Sequence, residues 1–418
     1  MRILRAGLAL VTAGAMLAAC TDDTSHNSDQ RATEQVSGKI TMWMAPVGGP
    51  LESTWWADRV KQFTGRYPNV TVQVEVVPWP DRAKRLAEAV ASHHTPDVAY
   101  LIPDEVASYA DQKLLVDVSD VIADDRGDFR PAALDAVSSG GALYGVPTLM
   151  SPATTIFNRK VVDKVGLTPL PQTWDDVRNA APRLKRAGYF TTTYDATPAA
   201  TLDGTFFPLL WQAGGEVLNA SRTKAAFNGP EGVRALDFAV WLADNGHLPK
   251  DALDGPASGG KAPAGQGKVA MLYSQSLGAA RQGGLADSDM LLAPPLRDRR
   301  SVGYAAVGGY SIFKTSTSQA AAKAWVDWLT APEQLRQFLP PRRQLSPRTS
   351  VTGLYPTGSP EAQAEAYLPQ MTAGLIHPQA RKIMDLIRPH LRAALLGEVS
   401  SREALDAAAR QVDELLAG

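Results

Sequence analysis

Flat aromatic rings and carboxylates recur in this sequence at positions where strands should give way to loops. Trp43 closes a short apolar-rich segment, Trp79 follows an alternating one, and Asp104 with Glu105 follow a continuous apolar run. Aromatic faces combined with fixed hydrogen-bonding side chains suit a ligand that presents C–H surfaces and many hydroxyls. Each residue also has a structural use. A tryptophan is seldom buried whole, so Trp43 and Trp79 fit a cleft and core packing equally. Asp104 also fits the N-cap of a helix beginning after Pro103, and Glu105 in a first helical turn complements the helix dipole. Trp55 and Trp56 are neighbours and so lie on different helix faces. Trp56 shares a stripe with Val60, Phe63 and Tyr67, which leaves Trp55 toward a loop or the cleft.

Covalent and metal chemistry lack their residue patterns. There is no Gly-x-Ser-x-Gly elbow and no His-Glu-x-x-His helix. Gly265-Gln266-Gly267-Lys268 is followed by Val269 where a phosphate loop needs a hydroxyl. His93-His94 has no third partner at metal spacing, and Asp124-Asp125-Arg126-Gly127-Asp128 lacks the alternation of a calcium loop. No metal or cofactor is therefore expected. A glycoside hydrolase needs two carboxyl groups about 5–10 Å apart across the bond, and adjacent Asp104 and Glu105 cannot easily flank a substrate. With 42 basic and 43 acidic residues the chain carries −1, which gives no nucleic-acid groove.

The first residues read as an export signal over 1–19: Arg2 and Arg5, a short apolar run, then small residues before Cys20. That run is too short for a membrane span. Cys20 is the sole cysteine, so no disulfide within the chain is possible. Residues 20–37 are polar and read as a flexible tether. The remaining residues, about 380, exceed one compact core and predict two domains.

Periodicity supplies the elements that position the rings. Residues 39–43 predict a strand, and the alternating, β-branched stretch 70–77 a second that Pro78 and Pro80 end. Helix 81–92 leads into the continuous apolar strand 97–102. Strand and helix in alternation predict a parallel α/β sheet, whose ligands sit beyond the carboxyl ends of strands. Further helices are expected at 174–188, 231–245, 319–330 and within 380–416, strands at 154–158, 268–273 and 307–313, and a Gly/Pro-rich loop at 255–267.

Several motifs in order resemble the family 1 extracellular solute-binding proteins, the binding components of sugar ABC importers. They are Gly38-Lys39-Ile40-Thr41-Met42-Trp43, Phe63 through Tyr67-Pro68-Asn69-Val70, Thr95-Pro96-Asp97-Val98, Leu143-Tyr144-Gly145-Val146-Pro147 with Ile156-Phe157-Asn158-Arg159, Thr173-Trp174-Asp175-Asp176, Gly214-Gly215, Gly267-Lys268-Val269-Ala270-Met271, Gly308-Gly309-Tyr310 and Leu329-Thr330-Ala331-Pro332-Glu333. They cover residues 38–416. Leu17-Ala18-Ala19-Cys20 likewise looks like a bacterial lipobox, which implies diacylation of Cys20 and anchoring outside the cytoplasm.

The resemblance implies an α/β, periplasmic-binding-protein-like fold of type II, with two lobes joined by a multi-strand hinge and a ligand cleft between them. It places one lobe at 38–148 and 305–348 and the other at 149–304 and 349–418. The implied partners are a saccharide ligand, ABC permease subunits and a membrane reached through the lipid; the protein would be a monomer and not an enzyme. Relatives place a ligand carboxylate near Asp104, a polar contact near Ser151, and sugar platforms near Phe206, Phe207 and Trp211, of which at least one should face the cleft. Tyr310, after two glycines, is the leading aromatic contact, and Arg343 with Arg342 lies in a segment that faces the cleft. Ser274-Gln275-Ser276-Leu277 replaces the aromatic that maltose-type proteins carry there, which counts against maltose. A phosphate-bearing ligand held by Arg342 or Arg343 is the alternative.

Overall fold

The computed structural model describes residues 35–47, 52–197, 201–249, 253, 263 and 265–418. The signal segment, Cys20, most of the 20–37 tether and most of the 255–267 loop lie outside the described residues.

The first strands follow the sequence pattern. β1 (Gly38–Met44) pairs in parallel with β2 (Val70–Val76), Gly38 opposite Val70, and with β3 (Val98–Leu101). All four residues of β3 are buried, as a continuous apolar run between two neighbouring strands requires. Helices Glu52–Arg66 and Trp79–Ala91 connect them, and helix Pro103–Asp111 follows β3. The short hairpin β4 (Ser138–Ser139) and β5 (Ala142–Leu143) precedes β6 (Val146–Asn158). β7 (Met271–Ser276), β8 (Met290–Ala293), β9 (Gly303–Ile312) and β10 (Met371–Thr372) complete the set.

The wholly parallel sheet expected from strand–helix alternation is corrected to a mixed one, ordered β2-β1-β3-β9-β6-β7, with β8 on β6 and β10 on β9. β9 returns from the C-terminal half and lies antiparallel to both β3 and β6. No periodicity signals such a return, because it joins segments some two hundred residues apart.

β6 is the longest strand, and it serves two neighbourhoods. Its first part pairs with β9 from Val146 to Ala153, and its last part pairs with β7 and β8. Register shifts between Pro147 and Leu149 and between Thr154 and Ile156 let it bend along that path. Two hydrophobic cores result. One gathers Ile40, Phe63, Leu101, Val307, Trp325 and Phe338; the other gathers Phe157, Trp174, Phe206, Phe227, Phe238 and Leu405. Leu272, Leu277 and Met290 belong to the first core, so the cores meet along a packed seam.

The expected helices lie at Trp174–Arg186, Pro230–Asp244, Gln319–Thr330, Ala380–Leu395 and Ser401–Ala417. The Thr173-Trp174-Asp175-Asp176 motif is a helix start. The Thr173 hydroxyl accepts from the Asp176 amide at 3.1 Å, and the Asp176 carboxylate accepts from the Thr173 amide at 2.9 Å.

Candidate functional site: a two-compartment cleft

Two cavities, about 700 and 520 Å³, share Trp79, Ile102, Ala306 and Val307 as a common wall. The larger is lined by Tyr100, Ser151, Arg281, Arg343 and Gln344 among others. The smaller holds Asp104, Asp203, Tyr304, Arg381 and Arg388. Its Val307 belongs to the first core and its Met384 to the second, so it opens where the cores meet.

Trp79 is the ring these compartments share. It opens helix Trp79–Ala91 immediately after Pro78, with Pro80 at the second helical position, so its direction is set by a rigid strand-to-helix turn. It is 44% exposed, and its indole N–H donates to the Pro46 carbonyl at 3.3 Å. The Arg82 guanidinium lies 5.3 Å from its ring centre. Arg82 is in turn fixed by both Glu105 oxygens, at 2.7 and 2.5 Å, and donates to the Tyr100 carbonyl at 2.5 Å. Glu105 also accepts from the Ile102 amide at 3.1 Å. Burial pushes the Glu105 carboxyl up even beside Arg82. Glu105 therefore holds the platform from behind and does not line the cleft.

Asp104 lines the smaller compartment and Ser151 the larger. Asp104 receives the Arg381 Nε at 2.5 Å, which ties helix Pro103–Asp111 to helix Ala380–Leu395. Arg343 lines the larger compartment and meets Asp287 at 2.8 Å and Glu361 at 3.7 Å, the same two carboxylates that Arg281 engages. Arg342 lies between the Phe338 and Trp55 rings, 4.2 and 4.4 Å from their centres. Trp55 thus supports a cleft residue and does not line the cleft itself.

The other aromatic expectations are corrected. Tyr310 is 1% exposed, because β9 is flanked by β3 and β6 and its ring packs against Tyr100. Gly308 serves Tyr100: a Cβ there would sit 1.8 Å from the Tyr100 hydroxyl, and it is Tyr100 that reaches the cleft wall. Trp43 alternates away from core-facing Met42 and Met44 and lies under Arg85, 4.6 Å from its ring centre. Phe206 and Phe207 are interior to the second core, on a short helix buried throughout. Trp211, on the same helix, lines a separate groove with Ser138, Gly140 and Arg222. Thr372, Gly374 and Ile376 line that groove, Ala373 lines the cleft, and Leu375 borders both. The segment 372–376 thus separates the groove from the cleft.

Asp203, Tyr304, Gln344 and Arg381 carried no motif, since segments remote in sequence bring them together. Gln344 lines the larger compartment, and among the described residues its side-chain oxygen has no hydrogen-bond donor. Asp203 is 7% exposed; it accepts from the Leu375 amide at 2.9 Å and the Thr201 hydroxyl at 3.1 Å.

Burial pushes the Asp203 carboxyl from 3.8 up to about 7. Between those values the folded chain keeps a proton that the unfolded chain has lost. The contribution of Asp203 to stability therefore declines as pH rises from about 4 to about 7 and is constant above. Asp203→Asn removes that decline. The variant should exceed the wild type by about 1–3 kcal/mol at pH 8, with the difference closing toward pH 4. Thermal melts at about pH 4.5, 6 and 8 check this; a pH-independent difference would remove Asp203 as the cause.

Two α/β cores joined by shared strands, with an aromatic and polar cleft where they meet, define a ligand-capturing binding fold. A model of the bacterial extracellular solute-binding proteins matches residues 48–335, and the chain belongs to that family. A binding protein of Brucella abortus is 21% identical over 407 residues, 92% of this chain and 95% of the relative. The diacetylchitobiose binding protein DasA of Streptomyces coelicolor is 25% identical over 164 residues, 39% of this chain and 38% of the relative. Among solved structures, the cyclic alpha-maltosyl-1,6-maltose binding protein of Arthrobacter globiformis aligns with a TM-score of 0.79 at 23% identity, over 91% of this chain and 99% of that one. Among the described residues no helix is long and apolar enough to cross a membrane.

Proposed function

We propose that this chain captures a di- or oligosaccharide between two lobes, 38–148 with 305–348 and 149–304 with 349–418, and passes it unaltered to the permease of an ABC importer. Cys20 carries the lipid that anchors the monomer to the membrane. The observation that carries the reading is Trp79, an exposed ring shared by two largely apolar compartments that each carry a few polar side chains, backed by a fixed guanidinium. Ser151 and Gln344 on one side and Asp203 and Tyr304 on the other supply donors and acceptors for hydroxyls. The saccharides named for the Streptomyces and Arthrobacter relatives agree with that chemistry.

Phosphate recognition by Arg343 is less favoured, since a phosphate would have to displace Asp287 and Glu361. Hydrolysis is less favoured again, since Glu105 is committed to Arg82 and Asp104 to Arg381. Thermal-shift screening of the chain from Ser37 onward, against saccharides and glycerophosphodiesters, tests the reading. A ligand at 100 times its Kd adds about 2.7 kcal/mol. Stabilisation by a saccharide recovered intact is expected, and stabilisation by phosphodiesters alone would overturn it.

A further inference from the structure

The charged side chains of the smaller compartment do not balance. Asp104, Asp203 and Asp385 face Arg381 and Arg388 across it. Arg381 is matched by Asp104 at 2.5 Å and Arg388 by Asp385 at 2.8 Å. Asp203 is left: among the described residues no cation lies within salt-bridge distance of it, although it is more than nine-tenths buried. Its oxygens hold one amide and one hydroxyl, and an ionised carboxylate has about four lone-pair sites. Gly374 packs against the oxygen that takes the Leu375 amide, since a Cβ there would meet it at 2.6 Å. The remaining capacity belongs to the 520 Å³ cavity that Asp203 lines.

We propose that this compartment takes a basic nitrogen of the ligand, so that the captured saccharide is an amino sugar whose ammonium pairs with Asp203. The inference rests on the saccharide reading above and names the class within it. A buried carboxylate without a counter-cation is costly to ionise. A ligand ammonium supplies the missing charge, whereas a neutral hydroxyl supplies only a dipole. The groups around Asp203 permit this. Thr201 and the Leu375 amide are its hydrogen-bond donors, Tyr304 from β9 is uncharged, and Asp104, Arg381, Asp385 and Arg388 from the flanking helices are already paired. Burial holds Asp203 near a pKa of about 7, so it binds a proton near pH 6.5, and ammonium binding must expel that proton.

Titration calorimetry tests this with matched pairs: neutral α-1,4 and β-1,4 gluco-disaccharides and trisaccharides, each against its 2-amino-2-deoxy counterpart. The amino partner should bind about tenfold or more tighter. At pH 6.5, in buffers of different ionisation enthalpy, it should release a proton that the neutral partner does not. Asp203→Asn should abolish the preference and the proton release together. Neutral and amino partners binding alike, with no proton released, would overturn the amino-sugar inference and leave saccharide capture standing. Binding of no saccharide by the folded wild-type chain would overturn both.

Discussion

Truncation of Trp79 to alanine should weaken saccharide binding by about thirtyfold or more, equivalent to about 2 kcal/mol. The ring is the common wall of both compartments, so its loss removes a stacking face from each. Its indole N–H makes one hydrogen bond, to the Pro46 carbonyl at 3.3 Å, and its ring meets the Arg82 guanidinium at 5.3 Å and the Tyr100 ring edge-on at 6.3 Å. Trp79→Phe keeps a flat face without that bond and should retain most of the affinity. Calorimetric titration of the two variants separates stacking from hydrogen bonding. Equal losses would assign Trp79 to holding the Pro46 segment.

Glu105→Ala should destabilise the fold by about 3–5 kcal/mol, the cost of leaving a buried guanidinium without its partner. Arg82 is 5% exposed, and among the described residues the two Glu105 oxygens are its only carboxylate contacts. With Arg82 released, Trp79 loses the cation behind its ring and Tyr100 loses the donor on its carbonyl, so affinity should fall in a variant that touches no ligand. Glu105→Gln keeps an acceptor for Arg82 and should lose less. Thermal unfolding followed by circular dichroism measures the first effect. A loss below about 1 kcal/mol would mean that water reaches Arg82.

The contrast between Glu105 and Tyr310 shows what the sequence made legible. Element positions came through where a local pattern had one physical cause: β3 is a continuous apolar run because it is covered on both faces, and Trp56 is core because it repeats with Phe63. Pro103 likewise marked a helix start and put Glu105 in its first turn, but the N-cap is Ile102, and Asp104, read as a possible cap, lies inside that turn. Which of two adjacent side chains turns outward depends on what packs there, and Arg82, which decides it for Glu105, lies 23 residues away. The two glycines before Tyr310 marked a close approach, but the approaching group is the Tyr100 hydroxyl. Asp203 was invisible for a related reason. Its significance comes from Leu375, Tyr304 and Arg381, which long crossings bring beside it, and from the absence of a cation that only the folded chain can display.

Capture of an intact saccharide in the cleft that Trp79 divides can be measured by calorimetric titration of the chain from Ser37 onward with a di- and oligosaccharide panel, followed by mass spectrometry of the recovered ligand. One saccharide class should bind one to one and return unaltered, with the binding weakened in Trp79→Ala. Undiminished binding in Trp79→Ala, or a ligand returned cleaved, would contradict it.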